Sequence, residues 1–297
     1  MPEGSAPADS GPASVLRRRL AEPEPLLVPG CADALGARVA VDVGFGVLYA
    51  SGAGISNGML GLPDLGFATL NDICDQVRRI CDVVDVPVIV DMDTGYGNAL
   101  NAARAVRMLE RAGAAAVQIE DQAFPKRCGH FDRKQVVAVS EMRAKLRAVL
   151  DGRRNPETVV IARTDAIATH GVDAAIERAN AYADVGADLV FVEAPPSRDV
   201  LAELPRRVRA PLVANMVEGG RTPLCDVNEL GEMGYRVVLY ANSALRAAVR
   251  AMYTTYSRLR TDGSTAEILE TLVEWDERQR LVGKDELDRL EAIYADG

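Results

Sequence analysis

The sequence lacks the features that mark several common classes of protein. Only two histidines occur, and the five cysteines (31, 74, 81, 128 and 225) show neither zinc-ligand nor disulfide spacing. An odd number of cysteines without a pairing pattern argues against a disulfide scaffold and favours a reducing cytoplasm. No apolar run reaches the ~18 residues that a membrane span needs. There is no basic tract, and a net charge of −9 argues against nucleic acid as a partner.

The first 13 residues differ from the rest of the chain. They are rich in proline, glycine, alanine and serine, and they lack the apolar core of a secretion signal. We therefore expect a disordered tail over residues 1–13. The other residues, 14–297, suit one large domain, since 48% of the chain is apolar and an α/β barrel commonly has this length.

A short pattern recurs along the chain, in which a glycine ends a helix and an apolar strand and polar residues follow. Copies begin at Gly44, Gly113, Gly186 and Gly234. This is the joint between helix and strand in a parallel sheet. Further apolar runs that predict strands lie at 26–29, 86–90, 159–162 and 211–214, and amphipathic helical stretches such as 98–112 and 172–185 fall between strands.

Eight strands that alternate with helices predict an α/β fold of the (β/α)8 TIM barrel type. The alternative, a doubly wound open sheet, requires a phosphate-binding glycine turn after the first strand, and Pro29-Gly30-Cys31-Ala32 is not one. A barrel gathers functional side chains at the carboxyl ends of its strands. Such residues do follow the predicted strands: Cys31, Asp33, Ser51, Asp91, Asp93, Glu120, Asp121, Arg163, Asp165, Glu193, Asn215, Tyr240 and Asn242.

Acidic residues follow two of the predicted strands directly. Asp91 and Asp93 are two apart, so on an extended strand they would point the same way, and Glu120 closes the apolar run 115–119. Carboxylates without a histidine or cysteine cluster suit a hard divalent cation that keeps several waters. The alternative for 91–97 is a solvated turn, because aspartate and glycine favour turns.

The segment Glu120-Asp-Gln-Ala-Phe-Pro-Lys-Arg-Cys-Gly-His130 places a thiol among basic residues. Neighbouring positive charge and an imidazole favour the thiolate, so Cys128 is a candidate for a chemically active group. The alternative is a polar surface loop with an incidental cysteine.

Two further features could bind anionic groups. The run Ser51-Gly52-Ala53-Gly54 could cradle a carboxylate or phosphate with its backbone N–H groups, or it could be a flexible loop. Arg163 offers a planar, bidentate donor for a second carboxylate. His170 is better explained as a surface residue.

These motifs together resemble the isocitrate lyase/phosphoenolpyruvate mutase superfamily over roughly residues 15–290. The segments that carry the resemblance are 59–66, 95–98, 120–130, 162–166 and 214–220. Members with the cysteine are mostly carbon–carbon lyases, such as 2-methylisocitrate lyase and 2,3-dimethylmalate lyase. Carboxyphosphonoenolpyruvate phosphonomutase and the oxaloacetate hydrolases carry it too.

The resemblance implies a lyase that cleaves a substituted 2-hydroxy di- or tricarboxylate to a 2-oxo acid and a second carboxylate. Phosphorus–carbon chemistry and oxaloacetate hydrolysis are the alternatives.

The same resemblance implies roles for individual residues. Asp91 would bind Mg²⁺, or Mn²⁺ in its place, while Asp93 and Glu120 would hold its waters. Tyr49 would take part in removing the substrate's hydroxyl proton, and Cys128 would protonate the enediolate carbon after retro-aldol cleavage. Contacts with the carboxylate substrate are implied for Ser51, Gly52, Ala53, Asp64, Lys126, Gly129, His130, Arg163, Glu193, Asn215 and Asn242.

The chain also departs from the superfamily pattern. Gln118 stands where methylisocitrate lyases usually have histidine, and Ala241-Asn242 follows Tyr240 where lyases usually have proline. Both positions concern the pocket, and the second borders the variable end of the substrate. The amphipathic helices after Val249, with a helical tail over 265–295, lead us to expect a homo-oligomer. The resemblance implies a homotetramer in which a helix is exchanged between subunits.

Overall fold

Eight parallel strands close into a barrel in the computed structural model, which describes residues 11–126 and 134–295. The strands pair in chain order, and the last pairs with the first. They are β1 (Leu26–Cys31), β2 (Leu48–Ala50), β3 (Val88–Asp91), β4 (Ala116–Glu120), β5 (Val159–Thr164), β6 (Leu189–Val192), β7 (Leu212–Asn215) and β8 (Tyr235–Tyr240). The predicted (β/α)8 barrel is confirmed.

Helices surround the barrel and extend beyond its last strand. They are α1 (Pro12–Ala21), α2 (Ala34–Asp42), α3 (Gly52–Ile55), α4 (Leu70–Cys81), α5 (Ala99–Ala112), α6 (Val139–Gly152), α7 (Ile167–Ala183), α8 (Arg198–Arg207), α9 (Val227–Met233), α10 (Ser243–Asp262), α11 (Trp275–Leu281) and α12 (Lys284–Ala295). A π-helical turn (Ser56–Leu60) follows α3, and a 3₁₀ segment (Ala266–Thr271) follows α10. Within the described residues, no helix is long and apolar enough to cross a membrane.

The four glycines that mark the predicted joints all have a positive φ, between 100° and 111°. An L-residue with a side chain rarely adopts this conformation, which reverses the chain after a helix. The chain then enters a strand whose side chains are nearly all buried, as in β4 and β6, because helices cover one face and the barrel interior covers the other. The repeated pattern in the sequence thus has a direct structural cause.

The structure refines three predictions of local structure. The glycine-rich run after β2 is not a flexible loop but the first turn of α3, because the Ser51 side chain accepts a hydrogen bond from the Gly54 N–H and caps the helix. The helix predicted over 172–185 is present: it follows a break at Gly171 (φ 85°, ψ 177°) and ends at Ala183, and a short helical turn from Ile167 precedes the break. The predicted helical tail over 265–295 is three short elements, because Leu272 is extended and Gly283 has a positive φ of 74°.

The predicted tail also ends earlier than expected. Helix α1 starts at Pro12 rather than after residue 13, because Ala13 and Leu16 are buried and proline suits the first turn of a helix. Leu16 joins the cluster of inward-facing barrel residues, and Arg17 donates hydrogen bonds to the Glu157 carbonyl (2.7 Å) and to Asp188 (3.0 Å). Since Asp188 directly precedes β6, α1 lies at the amino-terminal end of the strands.

This position of α1 predicts a stability effect. Replacing Leu16 with alanine leaves a cavity among the barrel's interior side chains, so the free energy of unfolding should fall by about 2–5 kcal/mol. Urea unfolding followed by circular dichroism measures it. Leu100→Ala is the control, because the Leu100 side chain is 80% exposed on α5 and should change stability by less than about 0.5 kcal/mol. Equal stability of the two variants would contradict the packing of α1.

Candidate active site

A pocket of about 510 Å³ opens at the carboxyl ends of the strands, where a barrel places its functional residues. Phe191, Val217, Leu239 and Ala241 form its apolar wall. The rest of the lining consists of predicted site residues: Tyr49, Ser51, Ala53, Asp64, Asp91, Glu120, Lys126, Arg163, Glu193, Asn215 and Asn242. The predicted residues Cys128, Gly129 and His130 lie outside the described part of the chain.

Asp91 and Asp93 lie close together, but not for the reason that their spacing suggested. Asp91 ends β3, whereas Asp93 has a φ of 48° and is not part of an extended strand. The two carboxylates converge on Gly52 of α3. A Cβ atom there would lie 2.9 Å from Asp91 Oδ2 and 3.3 Å from Asp93 Oδ1. Only glycine at position 52 allows α3 to approach these acids so closely.

Lys126 is buried and neutralises part of this acidic cluster. Its Nζ forms ion pairs with Asp64, from the loop after the π-helical turn, and with Asp93 Oδ1 at 2.8 Å. Burial alone would lower the pKa of Lys126, but the carboxylates of Asp93 and Asp91 outweigh it and raise that pKa well above its usual value. Burial raises the pKa of Asp93 to about 7 even though Lys126 opposes the shift. Three carboxylates, those of Asp64, Asp91 and Asp93, thus lie around one ammonium group.

Arg163 is the second buried cation of the pocket. Its guanidinium forms a bidentate pair with Asp165 (3.0 and 3.1 Å) and lies 3.4 Å from Glu120 and 3.2 Å from Glu193. Its Cζ atom also lies 5.0 Å from the centre of the Phe191 ring. Burial opposes the charge of Arg163, but these acids raise its pKa well above the usual value. Arg163 therefore stays charged and is held in one orientation in the pocket wall.

Glu120 lies between the two cations. Its side chain is 2% exposed, and burial raises its pKa well above the usual value, while Arg163 opposes the shift. Its Oε1 atom is buried without a hydrogen-bond partner among the described residues. A buried carboxylate oxygen without a donor is costly, so this atom indicates that the pocket is built to receive a cation or a water.

Asp121 differs from its neighbour, although both follow the same predicted strand. It is fully buried and faces away from the pocket, where it accepts hydrogen bonds from Thr164 (2.7 Å), Tyr182 (2.8 Å), Arg178 (3.1 Å) and the Asp165 N–H (3.0 Å). These contacts fix the end of β5 and therefore the backbone that carries Arg163. Asp121 has a structural role.

Ser51 and Asn242, which directly precede α3 and α10, are hydrogen-bonded to each other at the pocket. The Ser51 hydroxyl accepts a hydrogen bond from the Gly54 N–H (3.1 Å) and donates one to Asn242 Oδ1 (3.2 Å). Asn242 precedes the first residue of α10, so it lies at the strand end as expected. Its side chain faces the pocket and not the barrel wall. The first N–H groups of α3, at Gly52 and Ala53, have no acceptor within the helix and are available to an anion.

Tyr49 and Gln118 form a buried pair at the floor of the pocket. The Tyr49 hydroxyl donates to Gln118 Oε1 (2.6 Å), and Gln118 Nε2 lies 3.4 Å from Asp91 Oδ1. Burial, together with the Asp91 carboxylate, raises the pKa of Tyr49 well above its usual value. Gln118 thus links a predicted catalytic hydroxyl with a predicted metal ligand.

Sequence reasoning listed Asp165 among the strand-end residues and Gln118 as a departure from the superfamily pattern but gave neither a specific role, and it did not identify Phe191, Val217 or Leu239. Gln118 could have been found as the one polar residue in the apolar run 115–119. Asp165 lies two residues after Arg163 at the same strand end, and this spacing suits an acidic partner for the guanidinium. Leu239 and Val217 carry no such signal, because apolar residues at strand ends are common in any core.

The acidic side of the pocket fits a hydrated divalent cation. Within the described residues, no three acidic, histidine or cysteine side chains are close enough together to hold a metal ion directly. The polar atoms on the acidic side of the pocket are nevertheless all oxygen, apart from the nitrogens of Lys126 and Arg163. They include Glu120 Oε1, which has no hydrogen-bond partner among the described residues. Magnesium is commonly bound through one or two carboxylates and keeps several waters. The residues therefore fit such an ion.

Comparison with known proteins agrees with this geometry. The family model described as phosphoenolpyruvate phosphomutase matches residues 16–260. The chain is 39% identical over 285 residues to 2,3-dimethylmalate lyase of Eubacterium barkeri, which covers 96% of this chain and 99% of that protein. It is 41% identical over 278 residues to 2-methylisocitrate lyase of Shewanella oneidensis, with coverages of 92% and 95%.

A solved structure of phosphonopyruvate hydrolase in complex with oxalate and Mg²⁺ superposes with a TM-score of 0.87 at 30% sequence identity. The match covers 96% of this chain and 99% of that one. Dimethylmalate lyase and methylisocitrate lyase are themselves lyases of the isocitrate lyase/phosphoenolpyruvate mutase superfamily. Both the barrel and nearly the full length of the sequence are shared with them, and the chain belongs to the phosphoenolpyruvate phosphomutase family within that superfamily.

Proposed function

We propose that this protein is a Mg²⁺-dependent carbon–carbon lyase. Its substrate would be a 2-methylisocitrate-like 2-hydroxy di- or tricarboxylate, and its products a 2-oxo acid, pyruvate or glyoxylate, and a second carboxylate. The observation that carries the proposal is that one pocket holds both buried acids, around Asp91, and anion donors next to them, at the start of α3 and at Arg163. A substrate with several carboxylates and a hydroxyl is complementary to both.

The acidic side would hold the metal. Asp91 would bind Mg²⁺ directly, and Asp93 and Glu120 would hold its waters, in keeping with the lack of a three-ligand cluster within the described residues. When bound, Mg²⁺ supplies Lewis-acid stabilisation of negative charge that develops on substrate oxygen. The ion-paired Lys126 limits the repulsion among these acids and lines the pocket beside them.

Donors next to these acids would hold the substrate's carboxylates. The free N–H groups of Gly52 and Ala53 would donate to one carboxylate. The Ser51 hydroxyl is engaged with Asn242, so it supports these donors mainly by capping α3. Arg163 would contact a second carboxylate from the pocket wall, where it forms an ion pair with Glu193, which in turn accepts a hydrogen bond from Asn215 Nδ2 (3.4 Å).

Bond cleavage would proceed as a retro-aldol reaction. Tyr49 would accept a hydrogen bond from the substrate's hydroxyl, whose proton would pass to water in the pocket as that carbon becomes the carbonyl of the 2-oxo acid. The electron pair of the broken carbon–carbon bond passes to the departing acid as an enediolate. Cys128 would then donate its proton to the enediolate carbon, a general acid role that rests on the sequence resemblance and on the basic residues beside it.

The variable end of the substrate would meet the apolar wall and two amides. Val217, Leu239 and Ala241 are small or apolar, whereas Asn215 and Asn242 can both donate and accept hydrogen bonds. Alanine at position 241 leaves more room at this corner than a ring-constrained proline would. This mixed lining favours a substituent that carries both an alkyl part and a polar group, as 2-methylisocitrate does.

The protein is also proposed to act as a homotetramer in a reducing cytoplasm. Helix α10 has no buried residue and exposes Tyr253 (70%) and Tyr256 (66%) together with smaller apolar side chains. An exposed apolar helix face of this length favours association with a second subunit. The described cysteines at 31, 74, 81 and 225 are free thiols, as expected in a reducing compartment.

The first experiment assays the purified protein with Mg²⁺ on 2-methylisocitrate, 2,3-dimethylmalate, oxaloacetate and phosphonopyruvate, with products identified by NMR. Release of a 2-oxo acid from the 2-hydroxy acids is expected. Turnover of phosphonates or oxaloacetate alone would identify a mutase or hydrolase instead.

In the same assay, Cys128→Ser should bind substrate but lose most turnover, because a hydroxyl is a much weaker acid than a thiol.

The close approach of Gly52 to the acids predicts a selective loss of metal binding. Gly52→Ala should weaken Mg²⁺ affinity by about tenfold or more in calorimetry, because the added methyl group displaces Asp91 Oδ2. Gly58→Ala is the control, since its Cβ would meet only the Ala32 Cβ, at 3.9 Å. Both variants should keep the wild-type melting temperature. Unchanged Mg²⁺ affinity in Gly52→Ala would place the metal elsewhere.

The assembly proposal predicts a particle of about four times 31.8 kDa in light scattering across the micromolar range. Tyr256→Asp should lower this mass, because it places a charge on the exposed apolar face of α10. Leu100→Asp is the control, since Leu100 lies on α5 and is 80% exposed. A monomer mass for the wild-type protein would contradict the proposal.

A further inference from the structure

Gln118 is an amide buried at the floor of the pocket with no exposed surface. It lies on β4, directly opposite Asp91 in the register of β3 and β4. Its two polar atoms reach two different groups: Oε1 lies 2.6 Å from the Tyr49 hydroxyl, and Nε2 lies 3.4 Å from Asp91 Oδ1. The side chain therefore bridges the pocket's tyrosine and the proposed metal ligand.

The chemistry of the three groups fixes the direction of both hydrogen bonds. An ionised carboxylate can only accept, so the amide nitrogen of Gln118 must face Asp91. Its amide oxygen must then face Tyr49, and because this oxygen can only accept, the phenol proton of Tyr49 must be donated to Gln118. Asp91 Oδ1 also accepts a hydrogen bond from the Asp93 N–H at 3.1 Å, so this oxygen is held from two sides.

The same direction decides what Tyr49 can offer to a ligand. Its hydroxyl has one proton, and that proton points down to Gln118, so the lone pairs of the oxygen face the pocket that Tyr49 lines. A ligand hydroxyl can donate a hydrogen bond to such an oxygen. A ligand carbonyl cannot, because two acceptors would face each other.

We infer that Gln118 is a positioning residue that holds Tyr49 as a hydrogen-bond acceptor, and that this makes the site favour a 2-hydroxy acid over the matching 2-oxo acid. The ligand class rests on the proposed function. The discrimination would help the reaction, because the substrate carries the hydroxyl and the oxo-acid product, which lacks it, would be held less tightly. Through its second hydrogen bond, Gln118 also contacts Asp91 Oδ1, while the other oxygen of this carboxylate, Oδ2, faces Gly52.

The test compares lactate and pyruvate, which differ only in a hydroxyl and a carbonyl, as ligands of the full-length protein in Mg²⁺. Dissociation constants from NMR titration give the pyruvate-to-lactate ratio for each variant. Tyr49→Phe should lower this ratio by about threefold to tenfold, which corresponds to the free energy that one hydrogen bond contributes to binding. Gln118→Met, which keeps the length of the side chain, should lower it by a similar factor.

A double variant shows whether Gln118 acts through Tyr49. In the Tyr49→Phe background, Gln118→Met should cause no further change in the ratio, since the hydroxyl that it positions is absent. Gln76→Met is the matched control, because Gln76 is a buried glutamine on α4 that bonds the Ala32 carbonyl outside the pocket. It should leave the ratio as in the wild-type protein.

The outcomes separate the inference from the function on which it rests. If Gln118→Met weakens both ligands equally, its role is purely structural and the inference is overturned. Additive effects of the two substitutions on the ratio would overturn it as well. If the wild-type protein binds neither ligand in Mg²⁺, the proposed function fails first, and the inference fails with it.

Discussion

Buried negative charge at one end of the barrel is the constraint on which the site depends. Asp91, Asp93, Glu120 and Glu193 are each less than a tenth exposed around one pocket. Removing such charges from water is costly unless they are paired. The buried cations Lys126 and Arg163 pair with three of these acids directly. The four acids outnumber the two cations, and burial raises the pKa of Asp93 and Glu120, so a further cation would stabilise their ionised forms.

The surrounding structure keeps these charged groups in place. Asp165 forms a bidentate pair with Arg163 and also accepts a hydrogen bond from the buried Lys134 at 2.9 Å. Behind them, Asp121 ties the end of β5 to α7. The result is a rigid wall, since each charged group has partners that come from different elements of the fold. Rigidity of this kind lowers the cost of binding a highly charged ligand.

Helix α10 connects the site with the proposed assembly. Asn242 lies directly before α10 and bonds Ser51, while Ser243 and Arg246 on α10 bond Glu218 in the loop after β7. That loop carries Val217 into the apolar wall of the pocket. The outer face of the same helix exposes its tyrosines. A subunit that packs on α10 would therefore also stabilise the corner of the pocket that meets the substrate's variable end.

The sequence by itself determined the barrel, its strand ends and most of the pocket lining. Glycine joints and buried apolar runs have a local physical cause, so Gly113 and β4 could be placed from pattern alone. A barrel brings all strand ends to one face, so Asp91, Glu120 and Arg163 were expected together. Only the tertiary structure decided how they pair. Gln118 meets Tyr49 across 69 positions of the chain, and Lys126 meets Asp64 across 62. Asp121 and Glu120 are adjacent in sequence yet face opposite sides of the strand. Hydrogen-bond partners at such separations depend on packing between elements, and local sequence does not encode that packing.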